Sequence, residues 1–242
     1  MNNPLMQTID LVGASYSAAL MGMLATTLLL FIGTAWVRQG WKVPVTLCAI
    51  ATLVGAFSLY EARLVWLAQS QVPLVYHYVG WIISLPALVA ALYFLARNVG
   101  RVSVSLFWRL LIVSVLMVLF RYLGEAGIVY PTLAFLISLA FWLYVLGELF
   151  FGQMEEAISK STITSTKRGY FWLRLIVTIG WAIYPLGYAL GYFVYVDDMG
   201  NTTAAASEAL NIVYNLADVV NKIAFGLLIW YAATSTSKAS AP

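Results

Sequence analysis

Apolar residues run along this chain in seven blocks separated by short polar junctions. The blocks cover about residues 11–36, 44–69, 75–96, 105–128, 131–153, 170–195 and 208–234. Each is long enough to cross a ~30 Å hydrocarbon core as a helix, which takes about 20 residues. The ten-residue alternating segments of a membrane barrel are absent, and a spanning segment has to satisfy its own backbone, so helices are the economical solution. The pattern predicts an all-α membrane protein, a seven-transmembrane-helix bundle that forms one domain over residues 1–242 with membrane lipid around it.

Composition supports that class. The chain is 62 % hydrophobic and only 10 % charged, against an apolar fraction nearer half for soluble domains. Ten of the thirteen basic residues fall in the junctions after the odd-numbered blocks and in the tail: Arg38 and Lys42, then Arg97, Arg101 and Arg109, then Lys160, Lys167, Arg168 and Arg174, then Lys238. The opposite junctions hold Asp197, Asp198 and Glu208 and no basic residue. The positive-inside rule then predicts an outside N-terminus and a cytoplasmic C-terminus. The net charge of +3 is a property of these junctions, and no nucleic-acid surface is expected. Cys48 is the only cysteine and His77 the only histidine, so neither a disulfide within the chain nor a Cys- or His-rich metal site is expected. The first ten residues lack the basic region of a signal peptide, and the first block is expected to remain as a span.

Charges inside the spans carry the candidate chemistry, because a charge at the middle of a spanning helix costs at least ~3 kcal/mol on insertion scales. Asp218 and Lys222 lie four residues apart in the last block, a spacing that stacks the two side chains on one helix face. The plainer alternative is an ion pair that only fixes helix packing. In the second block Tyr60 and Arg63 share a face, with Arg63 about one turn, ~5 Å, nearer the outside; Arg63 could equally snorkel to the interface. Glu61 points about 100° away from Tyr60, toward a neighbouring subunit or lipid headgroups. Arg121 and Glu125 form an i,i+4 pair expected close to the outer surface, as a structural or subunit contact. Trp81, Trp142, Trp181, Tyr184 and Tyr188 stand at the depth of the Asp–Lys pair, and Pro86 and Pro185 predict kinks in the third and sixth helices. These aromatics could pack against lipid or line a long, flat apolar cavity.

Together these blocks resemble a known family. Seven helices, a lysine in the last with Asp at i−4, Trp181-Ala182-Ile183-Tyr184-Pro185 in the sixth and Trp81-x-x-Ser84-x-Pro86 in the third resemble the microbial rhodopsins, and among them the proteorhodopsins. Tyr214-Asn215-Leu216-Ala217-Asp218, Asn221-Lys222 and Gly124-Glu125-Ala126-Gly127-Ile128 are similar to that group's own blocks. The resemblance implies all-trans retinal joined to Lys222 as a protonated Schiff base, with Asp218 as counter-ion hydrogen-bonded by Tyr60 and Tyr184. It implies a pocket formed by Trp81, Ser84, Met117, Ser138, Trp142, Trp181, Pro185 and Tyr188, with Leu88 at the colour-tuning position of the green-absorbing form. It also implies a pump or photoreceptor rather than an enzyme, a multi-pass protein of the bacterial inner membrane, and a homo-oligomer.

Four functional positions depart from the family pattern. Gly80 stands where the family has its main helix-3 carboxylate, His77 where it has Arg, Leu59 where it has the partner histidine, and Ala91 where it has the cytoplasmic proton donor. Arg63 could replace the displaced arginine from the neighbouring helix, which resembles the mirror proteorhodopsin branch. The expected activity is outward light-driven proton transport with Asp218 as acceptor, Arg63 holding Asp218 ionised, and His77 on the exit path, where it could also bind zinc weakly. The two positive charges of Schiff base and Arg63 against Asp218 are balanced by Glu61 turning inward, by solvation of Arg63 or by a bound anion. The alternatives are a light-driven chloride pump, with an anion in the space left at Gly80, and a sensory photoreceptor.

Overall fold

A computed structural model describes residues 10–69, 74–193 and 204–239; the side chains of 188, 190–193, 204–207 and 237–239 lie outside what it describes. Seven helical stretches are long and apolar enough to cross a membrane, and the described residues contain no strand. The elements are α1 (Leu11–Gly33, continued by a 3-10 turn Thr34–Trp36), α2 (Gln39–Gln69), α3 (Leu74–Arg97), α4 (Val104–Glu125), α5 (Pro131–Phe151), the short α6 (Gln153–Ser159), α7 (Thr164–Leu175), α8 (Trp181–Phe193), α9 (Ala204–Asp218) and α10 (Phe225–Ala239). The sixth span is α7 and α8 joined by a π-helical turn, Ile176–Gly180, and the seventh is α9 and α10 joined by another, Val219–Ala224.

Consecutive spans pack side by side, and the seventh closes the ring against the first, second and sixth. The third span is the central one, with 72 % of its most apolar stretch buried against 22–50 % for the other six. Its position explains why so much of the site hangs from it. Pro86 lies within α3 and Pro185 within α8; a proline removes one backbone donor and perturbs the helix. Gly127 adopts a left-handed φ of 69°, so α4 stops at Glu125 instead of running to 128 as the apolar block suggests. Asp10 caps α1, accepting from the Gly13 amide at 2.8 Å, and also accepts from Trp66 Nε1 at 3.2 Å, which ties the start of α1 to the end of α2.

The two π-helical turns face each other at one level of the bundle. There Asn221 Nδ2 donates to the carbonyl of Gly180 at 2.9 Å. Such turns widen a helix locally and recur at functional positions. Lys222 sits inside one of them.

Candidate functional site

Lys222 and Asp218 are 1 % and 2 % exposed, and Lys222 Nζ donates to Asp218 Oδ1 across 2.5 Å. The same oxygen accepts from the Tyr184 hydroxyl at 2.6 Å and from Trp81 Nε1 at 3.1 Å. Three donors from three different spans therefore converge on one carboxylate oxygen, which satisfies a charge that would otherwise be prohibitive at this depth. Room for the lysine chain comes from Gly55, where a Cβ would stand 3.0 Å from Lys222 Cδ and 2.6 Å from Met23 Sδ.

Beside this pair lies a narrow apolar cavity of about 60 Å³. Trp81, Trp142, Trp181, Tyr184 and Pro185 supply its aromatic and ring walls, with Met117 and Ser138 alongside. Ser138 Oγ donates to the Met117 carbonyl at 2.8 Å and Trp142 Nε1 to the Val177 carbonyl at 3.0 Å, so both side chains are fixed in the wall. Ser84 and Leu88 are fully buried further along α3 but do not line this cavity. Tyr188 belongs to α8, with its side chain outside the described residues.

On the side of Asp218 away from Lys222, toward the end of the bundle that holds residue 10, runs a polar track. His77 is fully buried one turn before Trp81, with its ring 5.5 Å from that indole, 6.1 Å from Tyr16 and 6.1 Å from Tyr214. Tyr16 commits its only proton to Asn211 Oδ1 at 2.5 Å, and its oxygen stands 3.3 Å from His77 Nε2. A tyrosine has one proton to give, so a hydrogen bond between these two side chains requires Nε2 to donate, which makes Nδ1 the acceptor; Nδ1 has no partner among the described residues. Asn215 continues the stripe, donating to Ser15 Oγ at 2.9 Å. Asn211, Asn215, Asp218 and Lys222 follow one another at helical spacing along a single face, a signal that was available in the sequence.

Several expectations are corrected. Tyr60 is 47 % exposed and does not reach Asp218. The buried stripe of α2 runs through Thr52, Gly55, Ala56, Leu59, Ala62 and Trp66, and one further residue of rotation carries Tyr60 outward. Glu61 is likewise exposed and does not turn inward. Arg63 is half-buried and is not among the hydrogen-bond or ion-pair partners of Asp218. No group of three metal-ligating side chains occurs among the described residues, so no zinc ligand set around His77 is found there. The space expected at Gly80 is taken, because a Cβ there would stand 2.5 Å from Ser58 Oγ and 2.7 Å from Ser58 Cβ. Ser58 is held in that place by donating to the Tyr76 carbonyl at 2.5 Å.

Arg121 and Glu125 differ most from expectation. Their side chains are only 9 % and 7 % exposed, with Nε and Oε1 3.5 Å apart, and Arg121 lines the cavity. A second guanidinium nitrogen donates to the Tyr184 carbonyl at 2.8 Å, so the pair braces the residue that holds Asp218.

The family model described as bacteriorhodopsin-like protein matches residues 10–236. The blue-light absorbing proteorhodopsin of gamma-proteobacterium Hot 75m4 is 37 % identical over 228 residues, covering 94 % of this chain and 88 % of that protein. The green-light absorbing proteorhodopsin of gamma-proteobacterium EBAC31A08 is 35 % identical over the same shares of the two chains. Among solved structures, the blue light-absorbing proteorhodopsin from Med12 superposes with a TM-score of 0.77 at 35 % identity, over 94 % of this chain and all of that one.

Proposed function

The chain belongs to the bacteriorhodopsin-like family, and from that premise we propose that it is a retinal-binding, light-driven pump that moves protons outward across the bacterial inner membrane, with Asp218 as counter-ion and acceptor. The observation that carries this reading is the 2.5 Å contact between Lys222 Nζ and Asp218 Oδ1, buried where an aromatic cavity meets the polar track.

The residues present fit all-trans retinal. The cavity is apolar and mostly aromatic, and two of its lining side chains, Trp81 and Tyr184, touch the carboxylate that pairs with Lys222. Lys222 would carry the cofactor through its nitrogen, while Trp81, Met117, Ser138, Trp142, Trp181, Tyr184 and Pro185 would enclose it. When bound, retinal supplies light absorption and an isomerisation, and the protein supplies orientation and electrostatics.

The chain's own part is proton handling. Among the described residues the proton on the Lys222 nitrogen has one near acceptor, Asp218 Oδ1, at hydrogen-bond distance. Tyr184 and Trp81 keep that oxygen aimed at the lysine and stabilise its charge until the proton arrives. Beyond it, His77 offers the bare Nδ1 and the Nε2–H directed at Tyr16, an arrangement able to take a proton on one nitrogen and release one from the other. Asn211 and Asn215 extend the polar track toward the end of the bundle that the basic junctions mark as outside. The Ser58 contact at Gly80 counts against the chloride alternative, since it fills the place where an anion would have sat.

Illuminated cells or vesicles holding the protein with retinal should acidify an unbuffered outer medium, with the signal abolished by a protonophore and indifferent to chloride. Unchanged acidification in Asp218→Asn would remove Asp218 from the acceptor role, and a chloride-dependent signal would reverse the choice of ion.

A further inference from the structure

The cavity has a neighbour. Between α3 and α4, on the lipid-facing side, lies an apolar groove of about 190 Å³ rimmed by Val75, Val79, Ile82 and Leu119. Val75 and Val79 are each 56 % exposed and Leu119 38 %, and no charged side chain lines the groove. Its floor consists of Tyr78 and Val118, and these same two side chains form part of the wall of the aromatic cavity. Only their thickness separates membrane from site.

We propose that this groove is the lateral entry through which retinal passes from the lipid to Lys222, with Tyr78 as its door. The inference rests on the retinal reading above. Retinal is a long apolar aldehyde that dissolves in the bilayer, so it approaches the bundle sideways and needs an apolar surface that leads inward. The helical period sets out the path: Val75, Val79 and Ile82 lie on the outward face of α3, while Tyr78 and Trp81 lie on the adjoining inward face. The Tyr78 ring makes edge contacts with Trp81 at 5.1 Å on the cavity side and with Tyr122 at 5.6 Å on the groove side. Rotation of the Tyr78 side chain, which would carry its hydroxyl away from Arg121 and Glu125, would open the shared wall beside Val118. The far end of the path is the correct one, because Trp81 Nε1 bonds the carboxylate that pairs with Lys222.

Regeneration kinetics test this. The retinal-free full-length protein in lipid vesicles is mixed with donor vesicles carrying all-trans retinal, and growth of the visible band is followed. Val79→Trp and Leu119→Trp, which place a large ring in the groove at exposed positions, should each slow that growth about tenfold while the final band keeps its position and amplitude. Tyr78→Ala should speed it. Leu136→Trp, at an exposed position on α5 next to the cavity residue Phe135, should leave it unchanged. Wild-type rates in both groove variants, or slowing by Leu136→Trp instead, would overturn the proposed route while leaving the retinal reading intact. Failure of the wild-type protein to form any visible band would overturn the retinal reading, and this route with it.

Discussion

Tyr184 and Lys222 donate to the same atom, Oδ1 of Asp218, from 2.6 and 2.5 Å. The tyrosine comes from the sixth span and the lysine from the seventh, so the shared oxygen is also where those two helices are tied. A hydrogen bond to a buried charged group is worth about 1.5–3 kcal/mol. Tyr184→Phe should therefore destabilise the protein. A double-mutant cycle with Asp218→Asn, read by thermal denaturation in the membrane, should show a coupling of about 1.5–3 kcal/mol. Additive effects would mean that the hydroxyl does not serve the carboxylate.

Arg121 and Glu125 yield a second prediction. Removing one member of a buried ion pair leaves the other charge uncompensated, at a cost of about 3–5 kcal/mol, whereas replacing both by apolar residues of similar volume is often neutral. Glu125→Gln and Arg121→Gln should each lower thermal stability by about that amount, and Arg121→Met with Glu125→Leu should recover most of it. The recovered double variant should still differ from wild type in its visible absorption, because Arg121 lines the cavity and holds the Tyr184 carbonyl. A spectrum identical to wild type would reduce the pair to a packing device.

The sequence made the bundle and the centre of the site legible for physical reasons. Apolar blocks of spanning length leave few architectures, and a carboxylate four residues before a lysine on an apolar helix cannot avoid its neighbour. What it hid depends on how each helix is rotated in the bundle. Spacing puts Tyr60 and Arg63 on one face of α2 and the family resemblance turns that face to Asp218, yet the buried stripe of α2 is set by contacts with α1 and α3, and it turns Tyr60 outward. Arg121 reads as an interfacial residue at the end of its block until the sixth span is folded over it. Tyr16 meets its acceptor Asn211 across 195 positions of chain, a pairing that no local pattern encodes.

His77 and Tyr16 carry a prediction about timing. If the track on that side of Asp218 conducts, His77→Phe should delay the appearance of protons in the medium by about 10²-fold, the usual scale for losing a positioned acid–base group. The first transfer, from the Lys222 nitrogen to Asp218, should keep its rate, because His77 is not bonded to either group. Tyr16→Phe should produce a milder delay, since it removes both the proton given to Asn211 and the oxygen facing Nε2. Flash spectroscopy with a pH-sensitive dye separates the two events. A first transfer slowed as much as the release would show that His77 acts on Asp218 itself.

Gly80 and Ser58 decide what α3 can hold. The close approach of α2 at this point leaves no space for a Cβ, so restoring a carboxylate by Gly80→Asp should force the helices apart. Overpacking of this kind costs about 1–3 kcal/mol, and it would come with a second negative charge near Asp218. The single variant should give a low yield of pigment, measured as visible absorbance relative to protein. Adding Ser58→Gly removes the side chain that Gly80 meets, and the double variant should regain pigment. A high yield from Gly80→Asp alone would show that the two helices are free to separate here, and that an anion could be seated beside Gly80 after all.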